Sequence, residues 1–289
     1  MDSSIYILGS NGFIGSHLLR HLQSALPKKK VVGLGILDLD LTHEGAWEKL
    51  ALQLPKNARI VVLSGLKRQI GDSFASFEKN IQIATTLARA IERARPKRVV
   101  FFSSAAVYGE ETHHLAINEQ TQVNPISCYG ISKFASERLL AVAVRNAGSS
   151  LVLLRPPVIY GPRDASVSYG PVAFCRMARR RESITLWGDG SELREFVYVG
   201  DCCRLVTELI DSEFAGVLNL ASGKSSSFRE VLATIGKVSG DKLTVMETPR
   251  SKDKVDNVFD PSLIESLFPD FQWTDLLEGI KETWKNESL

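Results

Sequence analysis

Short apolar runs alternate along the first half of the chain with segments whose apolar positions recur every three or four residues. Ile5 to Leu8, Val31 to Gly35, Ile60 to Leu63, Val99 to Ser103 and Leu151 to Arg155 read as strands. Between them, Ile14 to Leu26, Ala46 to Leu54, Asn80 to Arg95 and the stretch through Tyr129 and Lys133 read as helices. The strands are rich in Val, Ile and Leu with no polar alternation, the pattern of strands covered on both faces. Repetition of this unit predicts an α/β fold with a doubly wound parallel sheet of Rossmann type. No internal repeat or low-complexity tract interrupts it.

Beyond Gly161-Pro162 the rhythm changes. Segments 164–193 and 224–289 read as mainly helical and loop-rich, whereas 194–223 holds a further strand, Val217 to Leu220, able to rejoin the sheet. The expected organisation is a sheet domain over 1–163, with 194–223 returning to it, and a small discontinuous lobe made of 164–193 and 224–289.

Composition narrows the classes. With 289 residues, 44% hydrophobic and 24% charged, the chain can bury a substantial core without disulfide or metal staples. A formal net charge of +2 gives no reason to expect nucleic acid as a ligand, and Lys28-Lys29-Lys30 and Arg179-Arg180-Arg181 read as solvated faces. The four cysteines lack metal-ligand spacing and read as free thiols in a reducing cytoplasm, so no metal site is expected. Met1 to Leu8 enters a strand with no basic leader, and no apolar run is long enough to span a bilayer. A cytoplasmic chain without a membrane partner is the expectation.

Candidate chemistry begins at Gly9-Ser10-Asn11-Gly12-Phe13-Ile14-Gly15, which follows the first strand and opens the first helix. In that context a Gly-x-x-Gly-x-x-Gly string reads as a dinucleotide site. Gly9 permits the tight turn, Gly12 a close approach of backbone to pyrophosphate, and Gly15 close packing of the helix. The amides around Asn11, Phe13 and Ile14 then face the anion. The domain over 1–163 is therefore expected to bind a dinucleotide, with the discontinuous lobe binding substrate in a cleft beyond the carboxyl ends of the strands. An acid usually closes the second strand of such a site to hold the adenosine ribose. Here that place falls at or near Gly35, so either NADP is accommodated or Asp38, followed by Leu39, or Asp40 reaches the adenosine from the next segment. NAD and NADP both stay open.

Tyr129 and Lys133 lie four residues apart in Cys128-Tyr129-Gly130-Ile131-Ser132-Lys133. On a helix they share a face, so the ammonium favours the ionised phenol, which can then exchange a proton with a sugar or alcohol hydroxyl at neutral pH.

Further segments fall in a fixed order: Asn80 in the long helix, Ser103-Ser104-Ala105-Ala106-Val107-Tyr108-Gly109, Tyr129 with Lys133, and Leu154-Arg155-Pro156-Pro157-Val158-Ile159-Tyr160-Gly161-Pro162. Gly188-Asp189-Gly190-Ser191, Arg194-Glu195-Phe196-Val197-Tyr198-Val199 with Asp201, and Leu218-Asn219-Leu220-Ala221-Ser222-Gly223 complete the series. Together with the glycine turn they resemble, nearly end to end, the extended short-chain dehydrogenase/reductase family, and within it the NAD-dependent nucleotide-sugar epimerases and dehydratases. The resemblance implies that Ser104 hydrogen-bonds the reacting hydroxyl, that Tyr129 is the general acid-base, and that Lys133 binds the nicotinamide ribose while tuning Tyr129. It also implies cofactor contacts from Ser103 and Asn80. Arg194 resembles the family arginine that grips the substrate diphosphate, and Arg250 with Asp253 resembles a second diphosphate and ribose clamp. Ser64-Gly65-Leu66-Lys67-Arg68 is similar to the Gly-Leu-Lys stretch of UDP-galactose 4-epimerases, which assigns Lys67 to the cofactor pyrophosphate.

Absences refine the implied reaction. Sugar 4,6-dehydratases carry Asp-Glu after the catalytic hydroxyl residue, where this chain has Ala105 and Ala106, and the 3,5-epimerases place a cysteine nearby. What remains is oxidation or reduction at one carbinol, most simply sugar C4. C4 epimerisation through a transient 4-keto sugar is the leading expectation. An NADPH-dependent 4-ketoreductase, and a non-catalytic dinucleotide sensor or scaffold, are the alternatives. The resemblance further implies a homodimer through the helices bearing Asn80 and Tyr129, with Ile83, Leu87, Leu139 and Leu140 serving either that interface or the core.

Overall fold

The computed structural model describes residues 4–109, 114–165, 169–250 and 253–286. In chain order the elements are β1 (Ile5–Leu8), α1 (Phe13–Ala25), β2 (Val31–Leu34), α2 (Ala46–Gln53), β3 (Arg59–Val62), α3 (Phe74–Ala94), β4 (Arg98–Phe102) and β5 (His114–Ile117). They continue with α4 (Cys128–Ala147), β6 (Ser150–Arg155), β7 (Val158–Tyr160), α5 (Pro171–Arg179), β8 (Ile184–Trp187), β9 (Leu193–Tyr198), α6 (Val199–Asp211) and β10 (Gly216–Asn219). The last are β11 (Ser225–Ser227), α7 (Phe228–Ser239), β12 (Val245–Thr248), β13 (Asn257–Phe259), α8 (Ser262–Leu267) and α9 (Leu276–Asn286).

Two compact units result: residues 1–110, 122–156 and 203–218, and residues 111–121, 157–202 and 219–289. The stretch 194–223 is divided between them, because β9 pairs with β7 and β11 in a small sheet of its own while β10 pairs with β6.

The first unit is built on a six-stranded sheet in the order β10-β6-β4-β3-β1-β2. The β2–β1, β1–β3, β3–β4 and β4–β6 pairings are all parallel. Every residue of β1 and of β4 is buried, as expected for strands covered on both faces. One face, including Tyr6, Leu8, Ile60, Val62, Val99 and Phe101, packs with Ile83, Leu87 and Ile91 of α3 and Leu140 and Val144 of α4. Ile83, Leu87 and Leu140 are thus core residues, and Leu139 packs against the same cluster.

Helix ends follow local chemistry. Ser73 and Ser76 form a reciprocal capping box at the start of α3, and the Ser127 hydroxyl accepts the Gly130 amide to start α4. Gly148, at φ +66°, ends α4 in the left-handed conformation that glycine adopts without strain. The buried residues of α4 change character along its length: Ser132, Lys133, Ser136 and Glu137 give way to Leu140, Ala143 and Val144. Its N-terminal half therefore needs polar partners. Glu137 has one in Arg155 at the end of β6, whose Nε and Nη2 donate to the two carboxylate oxygens at 2.9 and 2.7 Å. Both side chains are buried, and the guanidinium also stacks 5.0 Å from the Tyr108 ring centre.

The second unit carries more strand than its sequence pattern conveys. β7 pairs with β9 in parallel, β11 with β9 antiparallel, β8 with β12 in parallel and β5 with β13 in parallel. Apart from the six-residue β9 these strands have three or four residues, and several lack the continuous apolar run of the first sheet, as in Ser225–Ser227 and Asn257–Phe259. Helices α5, α7 and α9 pack with one another, and Tyr169, Phe174, Phe196 and Phe228 form an aromatic cluster. Among the described residues no helix is long and apolar enough to cross a membrane.

Removing one member of a buried ion pair strands the other charge in a medium that solvates it poorly. Glu137→Ala is expected to lower unfolding free energy by about 3–5 kcal/mol, read as a shift in the urea midpoint. Arg155→Ala should do likewise. A loss below about 1 kcal/mol, the scale of an exposed pair, would show that water reaches the site.

Candidate active site

The glycine turn lies where the carboxyl ends of β1 and β3 meet. Gly9 has φ +86°, and a Cβ there would come within 2.9 Å of the Ser64 amide nitrogen, directly after β3. A Cβ on Gly15 would lie 2.1 Å from the Gly9 carbonyl oxygen, so the start of α1 packs against the turn only with glycine at both positions. The Gly12 amide donates to the Gly9 carbonyl at 3.1 Å, and no side chain caps α1. The first-turn amides beside Asn11, Phe13 and Ile14 thus keep their donors for an anion.

Gly35 lies against the Asn11 carboxamide, which a side chain at 35 would have to push aside. A Cβ there would come within 2.2 Å of the Asn11 Nδ2. The acid instead arrives from downstream: the Gly35 amide donates to Asp38 Oδ2 at 2.8 Å, which draws the carboxylate back to the end of β2. Asp40 is committed elsewhere, accepting from the Thr42 amide at 2.9 Å and the Thr42 hydroxyl at 2.7 Å, bonds that lower its carboxyl below the usual range. Leu39, between them, is buried in the core.

The loop after β3 is pinned from two sides. Gly65 adopts φ +153°, and Asn80 pairs with the Leu66 backbone, accepting its amide at 2.7 Å and donating to its carbonyl at 3.2 Å. Asn80 Nδ2 also donates to the Ser132 hydroxyl at 3.2 Å, joining α3 and the loop to α4. Lys67 follows, its ammonium 5.2 Å from the Phe13 ring centre, which sets it beside the glycine turn. At the far end of the loop Asp72 Oδ1 accepts the Tyr129 amide at 2.9 Å and so caps α4 together with Ser127. Nothing in the local sequence marks Asp72 for this, since its partner is fifty-seven residues away.

Lys133 and Tyr129 project from the first turns of α4. The Lys133 ammonium donates to the Phe102 carbonyl at 2.7 Å and lies 5.0 Å from the Phe101 and 5.9 Å from the Tyr129 ring centres. Burial lowers it to about 8, against the opposing pull of Glu137. Ser103 and Ser104 follow β4 directly. The Ser103 hydroxyl is buried with no partner among the described residues, a group that an incoming ligand can satisfy. The Ser104 hydroxyl accepts the Ala106 amide at 3.1 Å, capping the single turn Ala105–Tyr108, and keeps its own proton to donate. The glycine turn with its uncapped helix, the acid at the end of β2 and the unpartnered Ser103 hydroxyl together fit a nicotinamide dinucleotide.

The second unit assembles a separate ionic cluster. Arg194 on β9 and Arg250 after β12 both bind Glu192, one on each carboxylate oxygen, with Arg250 Nη1 at 2.8 Å from Oε2. Arg250 Nη2 also reaches Asp189 at 3.2 Å, and Arg194 donates to the carbonyls of Leu193 and Val255. The two arginines therefore converge, as their motif positions imply. Asp253 does not join them: it is exposed, and the nearby acid is Asp256, whose Oδ1 accepts the Leu193 amide at 2.8 Å. The reason is geometric, for Asp256 enters β13 where the chain turns back alongside β9. Glu192 and Asp256 escape a motif reading, although Glu192 stands two residues before Arg194 and shares its side of an extended segment. Among the described residues no cluster of potential metal ligands occurs, and none of the four cysteines is disulfide-bonded.

Two outcomes follow from this geometry. Asp72→Ala should expose the Tyr129 amide and the loop at 65–72 to hydrogen exchange, with protection falling by roughly two- to fivefold for a lost cap of about 0.5–1 kcal/mol. Asp72→Asn, which keeps an acceptor, should preserve most of it. Lys133 titrates lower folded than unfolded, so between pH 8 and 10.4 the unfolded chain binds more protons and stability rises with pH. The cost of the buried charge is thus full below about 8 and fades above it. The stability difference between Lys133→Met and the parent should shift toward the parent by roughly 2–3 kcal/mol from pH 7 to 10, measured by urea titration. A constant difference would place the lysine in contact with water.

Comparisons with known proteins agree with the geometry. The chain is 27% identical over 256 residues to a Bacillus subtilis protein named as an uncharacterized UDP-glucose epimerase, covering 84% of this chain and 77% of that one. It is 27% identical over 302 residues to a Methanocaldococcus jannaschii protein provisionally named UDP-glucose 4-epimerase, covering 96% of each. Its fold matches the crystal structure of Thermus thermophilus UDP-glucose 4-epimerase in complex with NAD, with TM-score 0.86, 25% identity and 98% of each chain covered. The model of the NAD dependent epimerase/dehydratase family matches residues 5–221, most of the chain, and the protein belongs to that family.

Proposed function

We propose that this protein is a nucleotide-sugar epimerase acting at sugar C4 with NAD or NADP. The observation that carries this reading is the buried Lys133 ammonium facing the Tyr129 ring beside Ser104 at the end of β4, in a chain whose relatives are named as UDP-glucose epimerases. When bound, the nicotinamide dinucleotide supplies hydride acceptance at C4 and its return to the opposite face. The protein's part is proton movement and orientation. Tyr129, with the Lys133 ammonium 5.9 Å from its ring centre, takes the proton of the C4 hydroxyl as the carbonyl forms and gives it back to the same oxygen as the new carbinol forms. Ser104 donates its hydroxyl proton to that oxygen and fixes its direction. Ala105 and Ala106 bring no further acid or base, so elimination of water is not supported.

Supporting the cofactor, the amides at the start of α1 and Lys67 would face the pyrophosphate, and Asp38 at the Gly35 amide would meet the adenosine ribose hydroxyls. A carboxylate there repels a 2′-phosphate, which favours NAD and weakens the case for an NADPH-dependent reductase. Asn80 acts on the cofactor by holding the Gly65 loop. Arg194 and Arg250 would bind the substrate diphosphate as paired guanidinium forks. Retention of Ser104, Tyr129 and Lys133 argues against an idle sensor or scaffold. A cytoplasmic homodimer belongs to the same reading, with Phe74, Ile131 and Val142 the apolar side chains that α3 and α4 leave exposed.

Tyr129→Phe should keep the fold and cofactor binding while lowering turnover of UDP-glucose about 10²–10⁴-fold. Near-normal turnover in a clean preparation would rule out the mechanism. Denaturing the purified protein should release NAD carried through isolation. An empty site together with strict dependence on added NADPH would favour the reductase.

A further inference from the structure

Among the described residues, Glu192 is the one carboxylate shared by the two arginines assigned to the substrate diphosphate. Its side chain is about one-fifth exposed, as are those of Arg194 and Arg250. Each of its oxygens is taken by a different guanidinium, a bridging arrangement in which one anion holds two forks side by side. Backbone geometry supports the arrangement. Gly188 has φ +63°, and a Cβ there would come within 2.2 Å of Arg250 Nε, so a larger residue would be strained and would push the Arg250 side chain aside. Arg194 is held from the other side by the Leu193 and Val255 carbonyls, and burial lowers its guanidinium below the usual value while Glu192 opposes that shift.

We propose that Glu192 is a resident anion in the diphosphate site, which an incoming nucleotide sugar must displace from both arginines, and that it thereby sets nucleotide affinity. The inference rests on the assignment of Arg194 and Arg250 to the diphosphate. Two partly buried guanidiniums with no anion between them repel each other, so a carboxylate keeps them parallel and preformed. The same carboxylate opposes binding, because the diphosphate offers the arginines what Glu192 already provides and then faces the displaced negative charge. Removing the charge therefore acts with opposite signs on the free and bound protein: the free state is destabilised, and the bound state is relieved of repulsion. A residue that merely supports the fold would not divide its effects in this way.

The test uses the full chain, with UDP and UDP-glucose as probes, in calorimetric titration and thermal melts. Glu192→Gln should bind UDP about three- to tenfold more tightly, a change of about 0.7–1.4 kcal/mol, and should lower the KM for UDP-glucose. It should melt earlier than the parent without ligand and gain more from saturating UDP. Glu192→Asp, which keeps the charge, should stay near the parent in affinity. Equal or weaker UDP binding by Glu192→Gln, with Arg194→Ala and Arg250→Ala both losing UDP, would overturn the resident-anion role and leave the diphosphate assignment standing. Parent-like UDP binding by both arginine variants would overturn the assignment itself, and the role of Glu192 with it.

Discussion

The ammonium of Lys133 is held where water scarcely reaches it, and much of the first unit is arranged around that burial. A lone buried cation tends to give up its proton, and the shift to about 8 measures that tendency. The groups that oppose it come from two elements: β4, with the Phe102 carbonyl and the Phe101 ring, and α4, with the Tyr129 ring and Glu137 one turn further along. Glu137 is itself tied by both oxygens to Arg155. The charge facing Tyr129 thus depends on the register of β4, α4 and β6 together, which places the chemistry on rigid elements.

The same helix is the anchor for the loop after β3. Asn80 fastens Leu66 and reaches Ser132, while Asp72 fastens the other end of the loop to the Tyr129 amide. Lys67 lies between these two attachments and in turn meets Phe13 beside the glycine turn. The helix bearing Tyr129 and Lys133 and the glycine turn are therefore linked through a short, doubly pinned segment.

Charge in the second unit follows another logic. Around Lys133 counter-charge is scarce and the cation is weakened. Around Arg194 and Arg250 counter-charge is abundant, with Glu192 bridging and Asp189 attached at the rim. The first arrangement suits a group that tunes a proton donor, and the second suits a site whose natural occupant is itself an anion.

How much of this was legible along the chain depends on distance in sequence. The buried strand runs, the caps, the glycine turn and the spacing of Tyr129 and Lys133 are local patterns, set by the periods of strand and helix and by the left-handed backbone that glycine allows. They were enough for the parallel sheet and for the helix that carries Tyr129 and Lys133. Most strands of the second unit were not legible, because they are short and several lack the continuous apolar run that marks a strand buried on both faces. Tertiary structure alone decided that the Asn11 side chain lies against Gly35, and that Asp38 rather than Asp40 turns back to the end of β2. It also decided that Asp256 rather than Asp253 lies by Arg194, that Asp72 caps α4, and that Glu192 joins two arginines fifty-six residues apart. Sequence sets the conformations each segment can adopt; which charges and amides then meet is fixed only when distant segments pack, since a hydrogen bond or ion pair depends on separations of about 3 Å that no local pattern encodes.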